Sequence, residues 1–378
     1  MPWKEESVMR QRLELMKQLC ASDRTVQEVC DQWGISRKTA YKWLKRYQTK
    51  GLAALNNRSR APKKQALQVS HKIEAQVIEA HCRYRSWGPN KLRDYLIHIQ
   101  EEKDIPSHTT IGRILKRNGC EVMKNNRSKP AVLRFERATA NELWQMDFKG
   151  HFKTEQERCY PLTIIDDHSR YAVCLKACRN EQMLTVKERL IDVFRRYGLP
   201  EQINVDNGNP WGSSNSKSYT ALQIWLLKLG IKVSHSAPYH PQTNGKDERF
   251  HRTLKLEVLH QKRYVSLEEV QEAFDEWQYI YNYRRPHLAL GGEAPSSRYK
   301  ESKRRYPERL LEVEYEEGAM VKRVDAKSGS IYFKGSRYRI GNGLYGEYIE
   351  LKETERADQV AVFFMDQFIK NLRLKNNK

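Results

Sequence analysis

Three acidic residues stand in contexts that could build a metal centre. Asp147 lies within Leu143-Trp144-Gln145-Met146-Asp147-Phe148, Asp206 opens Asp206-Asn207-Gly208, and Glu248 lies within Lys246-Asp247-Glu248-Arg249. Hard divalent cations such as Mg²⁺ or Mn²⁺ prefer oxygen ligands, and three carboxylates that leave positions open to water can hold two ions about 3.5–4 Å apart. Such a pair activates a water or a hydroxyl on one side of a phosphodiester and stabilises the leaving oxygen on the other. A lone Asp or Glu is ordinarily a solvated surface carboxylate. The residues around these three argue otherwise.

The elements that must position them can be read from periodicity. Leu143 to Phe148 alternates apolar and polar residues, as a strand does, and places Asp147 opposite Trp144, Met146 and Phe148. Tyr160 to Asp166 and Tyr171 to Lys176 read as two more strands around a turn at His168-Ser169-Arg170, so the sheet starts antiparallel. A helical pattern at 181–197 ends at Gly198-Leu199-Pro200, and Ile203-Asn204-Val205 then runs straight into Asp206. After a helix at 218–229, a strand at 231–233 and a loop at 237–245, a further helix opens with Lys246 to Phe250. On it Glu248, His251 or Arg252, and Lys255 share a face, so that Arg252 and Lys255 could track a DNA backbone, and Arg249 is a further candidate to touch DNA. Asp247 would point about 100° away from Glu248. Asp166 and Asp167 read as a hydrogen-bonded turn rather than as extra ligands. His240 and Asn207 are candidates to touch DNA.

Charge points to the same partner. The 378 residues hold 68 Lys and Arg against 47 Asp and Glu, a net +21, which is the footprint of a polyanion binder. Residues 1–140 carry +15 of it, so the N-terminal part should bind most phosphates. Seven scattered cysteines without a Cys/His cluster argue against a disulfide framework or structural zinc. No apolar run reaches the roughly 20 residues of a membrane span, and the start MPWKEESVMR has no signal-peptide core. A cytoplasmic, nucleoid-associated prokaryotic protein with no membrane partner is expected.

That basic part reads as two helix-turn-helix modules. Helices at 8–20, 25–33 and 37–48 are separated by Gly34-Ile35-Ser36, where Gly suits the turn and Ser the N-cap. The last helix should bury Ala40, Trp43 and Leu44. It would offer Arg37, Lys38 and Thr39 to base edges and Lys42 and Lys45 to phosphates. Asn57 to Lys64 is a linker or minor-groove arm with Arg58, Arg60 and Lys63. Helical patterns at 71–85 and 90–101, broken by Gly88-Pro89, precede a helix capped by Ser107 that carries His108, Thr109 and Arg113. This second module could instead be a protein contact.

Leu267, Val270, Phe274 and Trp277 form the apolar face of another helix, after which Arg284 and Arg285 are placed to meet DNA. Beyond Pro295, strands at 330–333, 337–340, 348–351 and 360–364 suggest a small β-barrel.

Trp144-Gln145-Met146-Asp147-Phe148, Val205-Asp206-Asn207-Gly208 and His240-Pro241-Gln242-Thr243-Asn244-Gly245-Lys246-Asp247-Glu248-Arg249 resemble the three blocks of the retroviral-integrase-type DDE transposases. Asp166 to Tyr171 and Tyr281-Asn282-Tyr283-Arg284-Arg285-Pro286-His287-Leu288 further resemble the insertion-sequence groups called IS three and IS four-eighty-one. The resemblance covers about residues 10–300. It implies an RNase H-like core and a catalytic, metal-holding triad of Asp147, Asp206 and Glu248 with two Mg²⁺ or Mn²⁺ ions. It also implies metal-dependent cleavage and joining of element ends, and assembly of at least a dimer on double-stranded DNA. Asp206 and Glu248 are separated by 41 residues, more than in many relatives, and the extra length falls in a Gly- and Ser-rich surface loop at 210–216. The expected organisation is multidomain. Helix-turn-helix modules at 1–56 and 67–122 are joined by a linker at 57–66, and a second linker at 123–141 leads to an α/β core at 142–300 and the β domain at 301–378. The competing class is a helix-turn-helix regulator without catalysis, which would have no use for the three acids.

Overall fold

The computed structural model describes residues 8–21, 23–57, 69–121, 136–206, 208, 210–212, 219–235, 245–310 and 312–375. The chain divides into two compact units, Met1–Gln68 and Val69–Lys378.

The first unit is helical, with α1 (Val8–Cys20), α2 (Val26–Trp33) and α3 (Arg37–Lys50). Thr25 and Glu28 form a reciprocal capping box at the start of α2, satisfying two backbone donors that the helix itself cannot. Gly34 turns the chain at φ 60°, a left-handed conformation that glycine adopts without a Cβ clash, and Ser36 then caps α3 by accepting from Thr39 N. Leu15, Met16, Val29 and Leu55 form the core, with Trp43 and Leu44 packed against them. Arg12 lies over the Trp43 ring at 4.0 Å and Arg46 at 4.8 Å.

The second unit opens with α4 (His71–Arg83), α5 (Pro89–His98) and α6 (His108–Arg117) around Val77, Trp87, Leu92, Ile111 and Leu115. Pro89 starts α5 because its missing N–H would be unpaired there anyway, and Ser107 caps α6. This module is built into the unit. Ile280 packs on its core, Gly292 comes so close to Asp94 that a Cβ would stand 3.0 Å from the carboxylate carbon, and Ser86 Oγ donates to Glu257 Oε1 at 3.1 Å.

The α/β part has β1 (Trp144–Phe148), β2 (Phe152–Lys153), β3 (Arg158–Asp166), β4 (Ala172–Cys178), β5 (Gln202–Val205) and β6 (Lys232–His235). The sheet runs β2-β3-β1-β5-β6, with β4 also pairing β3. β1 is antiparallel to β3 and parallel to β5, so the antiparallel start expected from the sequence gives way to a parallel half. α7 (Met183–Tyr197) and α8 (Ala221–Lys228) share one core with Trp144, Met146 and Ile203. α9 (Gly245–Leu254) and α10 (Leu267–Tyr283) share another with Cys159, Ile165 and Leu175. Alternation along β1 therefore sends Trp144 and Met146 toward α7 and α8. Asp147 faces α9.

Two expectations need correction. Pro210 and Trp211 do not sit on a surface loop: Trp211 is 2% exposed and stacks on Phe148 at 5.7 Å, because its large apolar ring gains more from the core than the neighbouring Gly and Ser gain from solvent. Among the described residues, no closed barrel forms at the end of the chain. β7 (Val321–Arg323), β10 (Tyr348–Glu353), β11 (Gln359–Phe364) and β12 (Gln367–Arg373) form an open four-stranded sheet, and β8 (Ser330–Phe333) and β9 (Ser336–Arg339) form a separate hairpin. The apolar faces of the two layers, with Ile331, Phe333, Ile349, Val362 and Phe364, already cover each other, and α8 adds Ile224. Closure is not needed to bury them.

Glu257 joins the helical module to the core: it also accepts from Arg285 at 2.8 Å and Trp277 Nε1 at 3.0 Å, and both partners of the ion pair are 7% exposed. Glu257→Ala would strand the Arg285 cation inside the protein. The substitution should cost on the order of 3–5 kcal/mol, read as a lower denaturation midpoint. A loss below about 1 kcal/mol would show that the joint is not held by this pair.

Candidate active site and nucleic-acid surface

Asp147 and Asp206 meet at the ends of adjacent parallel strands. β1 and β5 pair Trp144 with Ile203 and Gln145 with Asn204, and two further steps of that register set Asp147 beside Asp206. Burial pushes the Asp147 carboxyl up to about 7, with the neighbouring Asp206 charge second and Glu181 and Glu248 adding to it. Asp206 is held by its own turn: Gly208 N donates to Oδ1 at 2.9 Å, and a Cβ at Gly208 would stand 3.1 Å from Oδ2. His235 Nδ1 donates to the Asp206 carbonyl at 2.9 Å while its Nε2 accepts from Gln223, which ties β6 and α8 to the same corner.

Glu248 and Asp247 divide as their angular separation requires. Glu248 is exposed on α9, whereas Asp247 is 2% exposed and its Oδ1 has no protein partner. Burial, then the charges of Asp147 and Asp167, hold the Asp247 carboxyl well above the usual range. Among the described residues, no three His, Cys, Asp or Glu side chains stand at ion-holding distances.

The Asp166–Arg170 turn is structural, as the hydrogen-bond chemistry suggested. Asp166 accepts from Ser169 N and Oγ and from Asn141 N, at 2.6–2.7 Å. Asp167 accepts from Gln145 Nε2 at 2.7 Å, Arg137 N at 2.9 Å and Lys246 Nζ. Gln145, Lys246 and Thr163, which sit around the acids, were not singled out in the sequence; the cross-strand pairing of Asp147 with Thr163 is the signal that could have found the last.

Arg37, Lys38, Lys42 and Lys45 are exposed along α3 and Thr39 is half-buried. His108, Thr109 and Arg113 are exposed on α6. Arg249, Arg252 and Lys255 are exposed beside Glu248, although the helix widens to a π-helical turn at Lys255–Leu259. Arg284 is half-buried. Arg285 does not face DNA: it is buried on Glu257, because an unpaired buried carboxylate would cost more than the exposed cation gains. Arg58, Arg60, Lys63, Asn207 and His240 lie outside the described residues.

Residues 137–241 and 229–295 each match an integrase core domain, residues 39–115 a homeodomain-like domain and residues 11–63 a helix-turn-helix domain. The chain is 24% identical over 228 residues to the insertion element IS407 uncharacterized 31.7 kDa protein of Burkholderia multivorans, covering 59% of this chain and 79% of that protein. It is 25% identical to the insertion element IS476 uncharacterized 39.2 kDa protein of Xanthomonas euvesicatoria, covering 59% and 63%. The catalytic core domain of HTLV-2 integrase, solved in complex with magnesium, aligns with a TM-score of 0.33 at 16% identity over 43% of this chain and 99% of that one. Fold and sequence thus define an integrase core joined to helix-turn-helix modules, a combination that a plain regulator does not have. The chain is, in addition, similar in sequence to proteins of insertion elements. No helix among the described residues is long and apolar enough to cross a membrane.

The raised Asp147 carboxyl has a definite sign. Its ordinary value is 3.8 and its folded value about 7, so ionised Asp147 destabilises the metal-free chain increasingly from about pH 4 and fully above pH 7. With chelator present, Asp147→Asn should therefore melt higher than the unaltered chain at pH 8, with the difference vanishing near pH 4. A difference independent of pH would contradict this origin.

Proposed function

We propose that the chain is a transposase that binds the terminal inverted repeats of an insertion sequence and cuts and joins DNA ends, with Asp147, Asp206 and Glu248 as its catalytic, ion-holding residues. The observation that carries this reading is a half-buried pair of carboxylates, Asp147 and Asp206, side by side at the ends of β1 and β5 within an integrase core, overlooked by a helix that presents Glu248 and a row of cations.

The donor set fits Mg²⁺ or Mn²⁺. All three side chains offer hard carboxylate oxygens, and the burial and neighbouring Asp206 charge that raise Asp147 are what a cation would offset. Because three acids do not stand at ion-holding distances, the site is expected to draw together as it loads. Two bound ions would activate the attacking water or DNA hydroxyl and stabilise the leaving oxygen. The chain's own part is to bind and aim the DNA. Arg37, Lys38 and Thr39 at the start of α3 would meet base edges, Lys42 and Lys45 phosphates, and Arg252 and Lys255 the strand at the acids. Since α6 belongs to the same compact unit as the acids, DNA held by His108, Thr109 and Arg113 would lie at a fixed offset from them.

Asp147→Asn, Asp206→Asn and Glu248→Gln should each abolish cleavage and joining while keeping end binding, because an amide preserves shape and loses charge. Asp247→Asn should stay active. An inactive Asp247→Asn beside an active Glu248→Gln would shift the assignment to Asp247.

Joining two ends to one target needs two active sites, and one chain supplies one set of acids, so the working particle is at least a dimer on DNA. Mixing a chain inactive in the acids with one unable to bind ends should restore joining if the two tasks can be shared between subunits. Strand transfer by particles that light scattering shows to hold one chain would refute the dimer.

A further inference from the structure

His251 lies on α9 three residues after Glu248, and the reading above leaves it without a task. Its side chain is 13% exposed and sits against β1 and β3, where Asp147 and Thr163 are direct cross-strand partners. Thr163 Oγ1 donates its one proton to the Asp147 carbonyl at 3.0 Å. Its 2.8 Å contact with His251 Nε2 is then donated by the ring.

Nδ1 faces Asp147 Oδ2 at 4.0 Å. That is too far for a direct hydrogen bond, so the ring stands beside the carboxylate without occupying its oxygens. A Lys or Arg at this position could reach Asp147 and compete with an ion for it.

We propose that His251 is a positioning residue of the acidic site, locking α9 to the Asp147 strand through Thr163 and setting its ring beside the Asp147 carboxylate, in the register at which a divalent ion is taken up. This rests on the reading of the three acids as ion-holding residues. Its counterpart in physical terms is the partner shell of other metal sites, where removing an orienting group weakens ion binding without removing a ligand.

The test is Mn²⁺ binding by titration calorimetry on full-length chains carrying His251→Ala, Thr163→Val, His251→Asn or Asp147→Asn, with melting and end-DNA binding measured on each. His251→Ala and Thr163→Val should each lose on the order of 10–100-fold in Mn²⁺ affinity while still binding end DNA. His251→Asn, whose amide oxygen can stand near the Nδ1 position, should recover part of the loss. If His251→Ala does not fold, Thr163→Val decides, since it removes only the hydroxyl that orients the ring. Unchanged affinity in the His251 and Thr163 variants, with Mn²⁺ binding lost in Asp147→Asn, would make His251 an ordinary core residue and overturn the inference alone. Unchanged affinity in Asp147→Asn would overturn the ion-holding reading, and this inference with it.

Discussion

Asp167 is fully buried, yet it is ionically paired to Lys246 and also accepts from Gln145 on β1 and from the Arg137 backbone. A charge in that position persists only because its partners are all present, since losing one would leave the others desolvated without compensation. The pair acts across the chain. It joins the turn after β3, the strand that carries Asp147 and the first turn of the helix that carries Asp247, Glu248 and His251. Rotation or sliding of α9 would break it, so the angular position of each of those side chains follows from where Lys246 is held. The acidic site is placed by a neighbouring acid that is not free to take part in chemistry.

This arrangement separates two kinds of carboxylate within one part of the fold. Asp166 and Asp167 are surrounded by donors, which offset part of the cost of burial, although burial still holds the Asp166 carboxyl above its ordinary value. Burial raises both Asp147 and Asp247; the Asp206 charge adds to the first, and the Asp147 and Asp167 charges add to the second, with Lys246 only partly opposing them. The first pair ties the turn, β1 and α9 together, whereas ionising the second costs stability. A fold that keeps the second kind retains it for function at the expense of stability, which is the usual signature of a site awaiting a charged ligand.

Much of this was legible in the sequence because strand alternation and helix caps are local. The alternation around Trp144, Met146 and Asp147 was enough to tell which side of β1 carries the acid, and Thr25, Gly34, Ser36 and Ser107 each announced a helix boundary that formed where expected. What failed was non-local. Arg285 reads as an exposed cation after a helix, and only the arrival of Glu257 from 28 residues upstream buries it. Trp211 sits in a Gly- and Ser-rich stretch, and its burial depends on Phe148 on a distant strand. The barrel expected at the C-terminus rested on strand count. Strand count does not say which edges pair, and α8 supplied apolar cover that a self-contained barrel would have had to provide.

The same distinction between local and non-local bears on how DNA would be read. Each helix-turn-helix module is defined by its own caps and small core, but the contact network treats them differently. The first forms a compact unit by itself, whereas the second shares Ile280, Glu257 and the Gly292 approach with the α/β part. A reader fixed to the active site sets the distance from recognised bases to the cut phosphate. A reader in its own unit adds affinity through tethering, by an amount governed by the effective concentration that its connection allows. On this division, sequence changes in an element's end opposite α6 would move or abolish the cleavage position, while those opposite α3 would weaken binding and leave the position of the cut unchanged.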